Sequence, residues 1–141
     1  MGGLGMNTDY GYLAYSLSTL AGLPVRLYRE GVFQGLYHHT KFRPDLAILD
    51  SDLLQELPKG LIAETGFDVL THALEGYVAK GSGVITDVYA REAFSSAYAS
   101  VPASYAGNKG VRLKVHLAAT MAGMAFSQAG LGLCHAMAHS L

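Results

Sequence analysis

A chain of 141 residues, half of them hydrophobic and 15% charged, can bury one core and is too short for two comfortable domains. Its formal net charge of −1 supplies neither a field for phosphate backbones nor a polybasic anchor for anionic lipid, so no nucleic acid and no membrane is expected as a partner. Cys134 is the only cysteine, which rules out an internal disulfide framework. The opening MGGLGMNTDY lacks the basic and apolar regions of a secretory signal, so a cytoplasmic setting is expected.

Residues 1–36 mix Gly, Tyr and Leu and carry only a weak helical pattern before Pro24; they receive no role. Gly3 and Gly5 are followed by Thr8 instead of the third glycine of G-x-G-x-x-G, so a flexible terminus is expected there and not a phosphate cradle. From Phe42 the signal sharpens. FRPDLAILD gives a short extended strap over Leu46–Leu49, and DSDLLQELP gives a brief helical turn stopped by Pro58. Three longer helical patterns follow, at about 63–79, 85–100 and 111–128, separated by KGSG and ASYAGNKG, and a fourth begins near Leu133. Short connections favour antiparallel neighbours, hence a mainly α, bundle-like architecture. Phe67, Tyr77, Tyr89, Phe94, Tyr98 and Phe126 recur at helical spacings and are expected in the core.

No Asp, Glu, Lys or Arg stands between Lys114 and Leu141, so that stretch is expected to be buried. A membrane span would need roughly 20 consecutive apolar residues. Gln128, Gly130, Gly132 and the two closing histidines interrupt the run, and a core helix is the better reading.

Two clusters carry chemistry. In ETGFDVLTHALEGY, Asp68, His72 and Glu75 fall on one stripe of a helix, with Leu70, Ala73, Leu74 and Tyr77 on the opposite side; alone, this is the solvated face of an amphipathic helix. In AGLGLCHAMAHSL, His135 and His139 also stand four residues apart, directly after Gly130 and Gly132, where solvation is hard to argue. Together Asp68, His72, His135 and His139 offer three imidazoles and a carboxylate, a donor set suited to zinc or ferrous iron and not to a soft structural site. Cys134 should point about 100° away from His135 on a helix and is expected to be a buried thiol. His116 is expected to be structural, and His38 and His39 to lie on the surface.

The runs FRPDLAILDSDLLQELPKGL, ETGFDVLTHALEGYV and MAFSQAGLGLCHAMAHSL resemble the iron-containing (group III) alcohol dehydrogenase family, with wording nearest its propanediol- and ethanolamine-utilisation branch. The resemblance implies that residues 37–141 are part of that family's all-helical, metal-binding C-terminal domain, with 1–36 unassigned. It implies Asp68, His72 and His135 as ligands of a divalent metal, Fe2+ first and Zn2+ second. His139 becomes a catalytic residue near substrate and nicotinamide, with a role in proton transfer, which departs from the donor set that spacing alone suggests. It further implies NAD(P), a small primary alcohol or aldehyde as substrate, and a bacterial microcompartment as an alternative location if the branch is right; the charge-free apolar tail separately suggests self-association, hence a homo-oligomer.

Several family features have no counterpart here: the G-G-G-S-x-x-D pyrophosphate motif, the G-T-G-S-E segment, and a fourth ligand histidine beyond the position of Leu141. Where the family often has Asn-Pro, this chain has Gly83-Val84, leaving Thr86 and Asp87 to serve the free N–H groups of the next helix. The expectation is therefore a fragment of a metal-dependent alcohol dehydrogenase that has no activity alone. The alternative is a non-catalytic helical metal-binding or interaction module of the same ancestry. Glycerol dehydrogenases and dehydroquinate synthases, which use a related helical domain, fit the HAMAH wording less well.

Overall fold

The computed structural model describes residues 25–29, 32–37, 47–138 and 140. Readings that fall on residues 1–24, on His38, His39 and Leu46, and on His139 lie outside the described residues. The chain divides into two units, Met1–Ala47 and Ile48–Leu141. In the first, strands β1 (Val25–Arg29) and β2 (Val32–Tyr37) pair antiparallel, with Val25 opposite Tyr37, Arg29 opposite Val32, and an irregularity between Leu27 and Tyr28. This hairpin was not expected. Its signal is present as two strand-type runs, VRLYR and VFQGLY, on either side of Glu30-Gly31.

In the second unit, residues 48–50 have no regular secondary structure, and Asp52–Leu54 form the expected brief turn, a 3-10 helix. Pro58, at φ −60° and ψ 146°, precedes helix α1 (Lys59–Val78). Its ring presets the chain direction, and its missing N–H is no loss at a helix start. Helix α2 (Val84–Tyr105), helix α3 (Arg112–Ala129) and the short helix α4 (Leu133–Ala138) follow. At the head of α2 the Thr86 hydroxyl accepts from the Gly83 N–H at 2.8 Å and donates to the Gly83 carbonyl at 2.9 Å. Thr86 thus takes the capping task, whereas Asp87 Oδ1 has no hydrogen-bond partner. Helix α2 also runs past Pro102 to Tyr105, further than the sequence pattern suggests, because Val101 and Ser104 are buried against its neighbours.

Small residues line the inner faces. Helix α1 buries Ile62, Gly66, Val69, Ala73 and Gly76, α2 buries Ala90, Ala93, Ala97 and Val101, and α3 buries Ala118, Ala122, Ala125 and Ala129. These repeats of three and four residues each mark one helical face. A side chain at Gly66 would sit 2.5 Å from a Val101 methyl, so α1 and α2 meet there at the limit of contact. Gly66 meets the end of α2 while Ala73 and Tyr77 share a groove with Ala90 and Phe94 near its start; α1 and α2 are therefore antiparallel. Gly76 abuts Phe126 near the end of α3. The turn before α1 is tied to the start of α3 by the buried Arg112 guanidinium, which donates to the Leu54 carbonyl, and by Lys109 Nζ on Glu56 at 2.6 Å.

This packing corrects the expected core. Of the six aromatic residues expected inside, Phe126 alone is buried, and Phe67 and Tyr98 are 68% and 69% exposed. Helices that approach through alanine and glycine leave no interior volume for large rings. The charge-free stretch divides likewise: α3 has a buried face, but Leu131–Ala138 is largely exposed. No helix among the described residues is long and apolar enough to cross a membrane.

His116 is buried on α3, and burial lowers its pKa from 6.5. The unfolded chain therefore takes up a proton on this side chain at a higher pH than the folded chain does. The stability linked to His116 is full above about pH 6.5 and declines as pH falls from there toward the lower folded value. Urea unfolding at pH 7.5 and 5.5 is expected to show a loss on acidification that His116→Gln reduces; an unchanged loss in the variant would contradict this.

Candidate metal centre

Asp68 and His72 lie one helical turn apart on α1, so their side chains project from the same stripe. His72 Nδ1 stands 3.3 Å from Asp68 Oδ2. His135 arrives from a different part of the chain. Helix α3 ends at Gly130, where φ is 89°, and the chain turns through Leu131 and Gly132 into α4. This brings His135 Nε2 to 3.6 Å from Asp68 Oδ1. The His72 ring stacks on both Phe126 and His135, with centroid distances of 4.3 and 4.2 Å and interplanar angles of 14° and 26°. A ring with near-parallel neighbours at those distances has one on each face, so its tilt is fixed by packing.

One donor atom from each of Asp68, His72 and His135 lies within 4.8 Å of the others. Ligands about 2.0–2.1 Å from a shared tetrahedral ion are about 3.4 Å apart. The two contacts of Asp68 with the imidazoles, at 3.3 Å through Oδ2 and 3.6 Å through Oδ1, are close to that spacing. The chemistry also fits, since two imidazoles and a carboxylate suit a divalent transition ion. The Asp68 side chain is 59% exposed while those of His72 and His135 are 19% and 13% exposed, so the cluster opens to solvent on its carboxylate side. Burial raises the Asp68 pKa, but hydrogen bonding and charge from His72, then from His135, outweigh it and leave the carboxyl below its usual 3.8. Asp68 is thus held as the anion a cation would need.

Glu75 departs from expectation. Spacing puts it on the solvated stripe with Asp68 and His72, yet it is buried. Its carboxylate accepts from the backbone N–H of Gly132 at 3.0 Å, of Cys134 at 2.7 Å and of His135 at 3.4 Å. Its Oε2 also lies 2.6 Å from His135 Nδ1. Burial raises the Glu75 pKa, but the His135 hydrogen bond and then the three backbone donors outweigh it and take it down to about 2. A side chain at Gly132 would come within 2.8 Å of Glu75 Oε1, so only glycine lets the backbone approach this closely. Periodicity along α1 could not reveal these partners, which stand 57 to 60 residues away; the Gly130–Gly132 turn before His135 was the available signal.

Cys134 is exposed, not buried. Its backbone N–H serves Glu75, while the thiol stands on the outward side of a helix too short to cover it. Helix α1 is also rotated from the expected orientation: Ala73 is buried as foreseen, but Leu74 and Tyr77 are 53% and 43% exposed, because the side bearing Glu75 is covered by the segment after α3.

Comparison with known proteins places this chain in a family. The model of the Fe-containing alcohol dehydrogenase family, C-terminal, matches residues 62–141. The 1-propanol dehydrogenase PduQ of Citrobacter freundii is 45% identical over 116 residues, covering 79% of this chain and 30% of that protein. The probable alcohol dehydrogenase EutG of Escherichia coli is 47% identical over 103 residues, covering 72% and 26%; PduQ and EutG represent the branch to which the wording pointed. The structure of an iron-containing alcohol dehydrogenase from Thermococcus thioreducens superposes with a TM-score of 0.78 at 36% identity, covering 89% of this chain and 33% of that one. The chain thus spans about a quarter to a third of the length of these relatives. With the helical order, the family model and the relatives in agreement, this chain belongs to the iron-containing alcohol dehydrogenase family.

Proposed function

We propose that Asp68, His72 and His135 hold a divalent metal, Fe2+ first and Zn2+ second, and that this chain contributes the metal-binding part of an NAD(P)-linked oxidoreductase acting on primary alcohols or aldehydes. The observation that carries the reading is the convergence of one carboxylate and two imidazoles from separate helices, each with a donor atom within 4.8 Å of the others. A metal bound there would supply Lewis-acid polarisation of an alcohol or carbonyl oxygen. Asp68 brings the negative charge, and its exposure leaves an approach for substrate. Phe126 holds the His72 ring in place by stacking. His139, four residues after His135, is proposed to move the proton, a task suited to an imidazole that titrates near neutrality.

The names of the relatives support the substrate class: one is a 1-propanol dehydrogenase and another an NADPH-dependent butanol dehydrogenase from Clostridium saccharobutylicum, 47% identical over 96 residues. We also propose that nicotinamide binding needs residues outside the motifs found in this chain, and that residues 37–141 act as the partial helical metal-binding domain. The cytoplasm, or a bacterial microcompartment, is the proposed setting.

The test is metal analysis of the purified 141-residue chain after anaerobic loading with Fe2+ or Zn2+ and removal of excess. One ion per chain is expected, with no turnover of 1-propanol and NAD. A chain that retains no ion would overturn the metal centre. Turnover that vanished in His72→Ala would instead overturn the expectation of inactivity.

A further inference from the structure

We propose that Glu75 is a positioning residue that fixes His135 as the Nδ1–H tautomer and aims its Nε2 lone pair at the space between Asp68 and His72. A carboxylate has no proton to offer, so the hydrogen in the 2.6 Å contact between Glu75 Oε2 and His135 Nδ1 belongs to the imidazole. In the neutral imidazole Nε2, which lies 3.6 Å from Asp68 Oδ1, then carries the lone pair. A metal-bound histidine needs this arrangement: one ring nitrogen donates a proton to an outer partner and the other donates electrons inward.

The carboxylate cannot swing away cheaply. It also accepts the main-chain N–H groups of Gly132, Cys134 and His135, so any rotation that frees the imidazole leaves part-buried donors without this partner. Glu75 therefore grips both the backbone and the ring of His135, which sets the ring's angle relative to its own Cα. Gly132 is part of the device, because a side chain there would come 2.8 Å from Oε1 and press the carboxylate aside. His72 stacks on His135 as well as on Phe126, but its Nδ1 faces Asp68 and not Glu75, so loss of Glu75 should change the tautomer of His135 and not that of His72.

The inference rests on the proposed metal centre for its purpose but can be read without any ion. The experiment records long-range 15N–1H correlations of the histidine rings in the metal-free 141-residue chain at pH 8, for the parent and Glu75→Gln, with competition measurements of Zn2+ affinity alongside. The parent is expected to show His135 protonated on Nδ1. Glu75→Gln is expected to shift His135 toward the Nε2–H form, to leave the His72 tautomer unchanged, and to weaken Zn2+ binding roughly 10- to 100-fold. A retained His135 tautomer in a folded Glu75→Gln chain would overturn the proposal. If Glu75→Gln does not fold, Gly132→Ala is read in its place, since it displaces the carboxylate without changing its charge; the same shift is expected and its absence overturns the proposal. A parent that shows the Nδ1–H tautomer yet binds no Zn2+ would defeat the metal centre while leaving the role of Glu75 toward His135 in place.

Discussion

His135→Ala is expected to weaken Zn2+ or Fe2+ binding by this chain roughly a hundred- to a thousandfold, and His72→Ala and Asp68→Ala are expected to do the same. Structural zinc sites with four ligands bind with about 10–16 kcal/mol, or about 2.5–4 kcal/mol per ligand, and each 1.4 kcal/mol is tenfold in affinity. The cluster offers three ligands among the described residues, so none is redundant. Glu64→Ala gives the control, because Glu64 is an exposed carboxylate on the same helix, outside the cluster. Its affinity should stay within about twofold of the parent, a difference of about 0.4 kcal/mol. Competition with a chromophoric chelator measures all four variants on one scale. Equal losses in Glu64→Ala and Asp68→Ala would mean that the ion is held by diffuse negative charge, and the converged site would then have no energetic meaning.

Helix positions were legible because local chemistry writes them. The patterns at 63–79, 85–100 and 111–128 correspond to Lys59–Val78, Val84–Tyr105 and Arg112–Ala129, and the breaks at KGSG and ASYAGNKG fall between them. The donor pair on α1 was legible too, since a spacing of four always places Asp68 and His72 together on a helix. Which face would be buried was not. The large apolar residues of α1 and α2 suggested cores that the structure leaves exposed, because Ala93, Ala97, Ala118 and Ala122 let the helices close up first. Alanine carries a weak hydrophobic signal, yet it permits the shortest helix separations. Glu75 was missed for a related reason. A carboxylate on a polar stripe looks solvated until the chain returns, after 57 residues, to offer it three backbone N–H groups. Sequence periodicity reports on one helix at a time and contains no term for such a partner.

The alanine core leads to the second large effect, Ala97→Leu, which is expected to destabilise the helical unit by about 1–3 kcal/mol or more. Ala97 is fully buried among Val69, Ala73, Ala93, Val101, Ala118 and Ala122, which belong to all three long helices. Ala97 is 0% exposed, so three added carbons cannot turn out into solvent. The helices must separate or the new side chain must leave its rotamer, and close-packed interiors resist both. For a unit of this size, a loss of 1–3 kcal/mol corresponds to a fall in Tm of roughly 5–20 °C. Ala99→Leu, two residues on and exposed, adds the same carbons on the outer face and should change stability by less than about 0.5 kcal/mol. Urea unfolding followed by circular dichroism distinguishes the two substitutions. If Ala97→Leu were as stable as Ala99→Leu, the three helices could not be in the close contact that holds Phe126 against His72, and the orientation of that imidazole would need another cause.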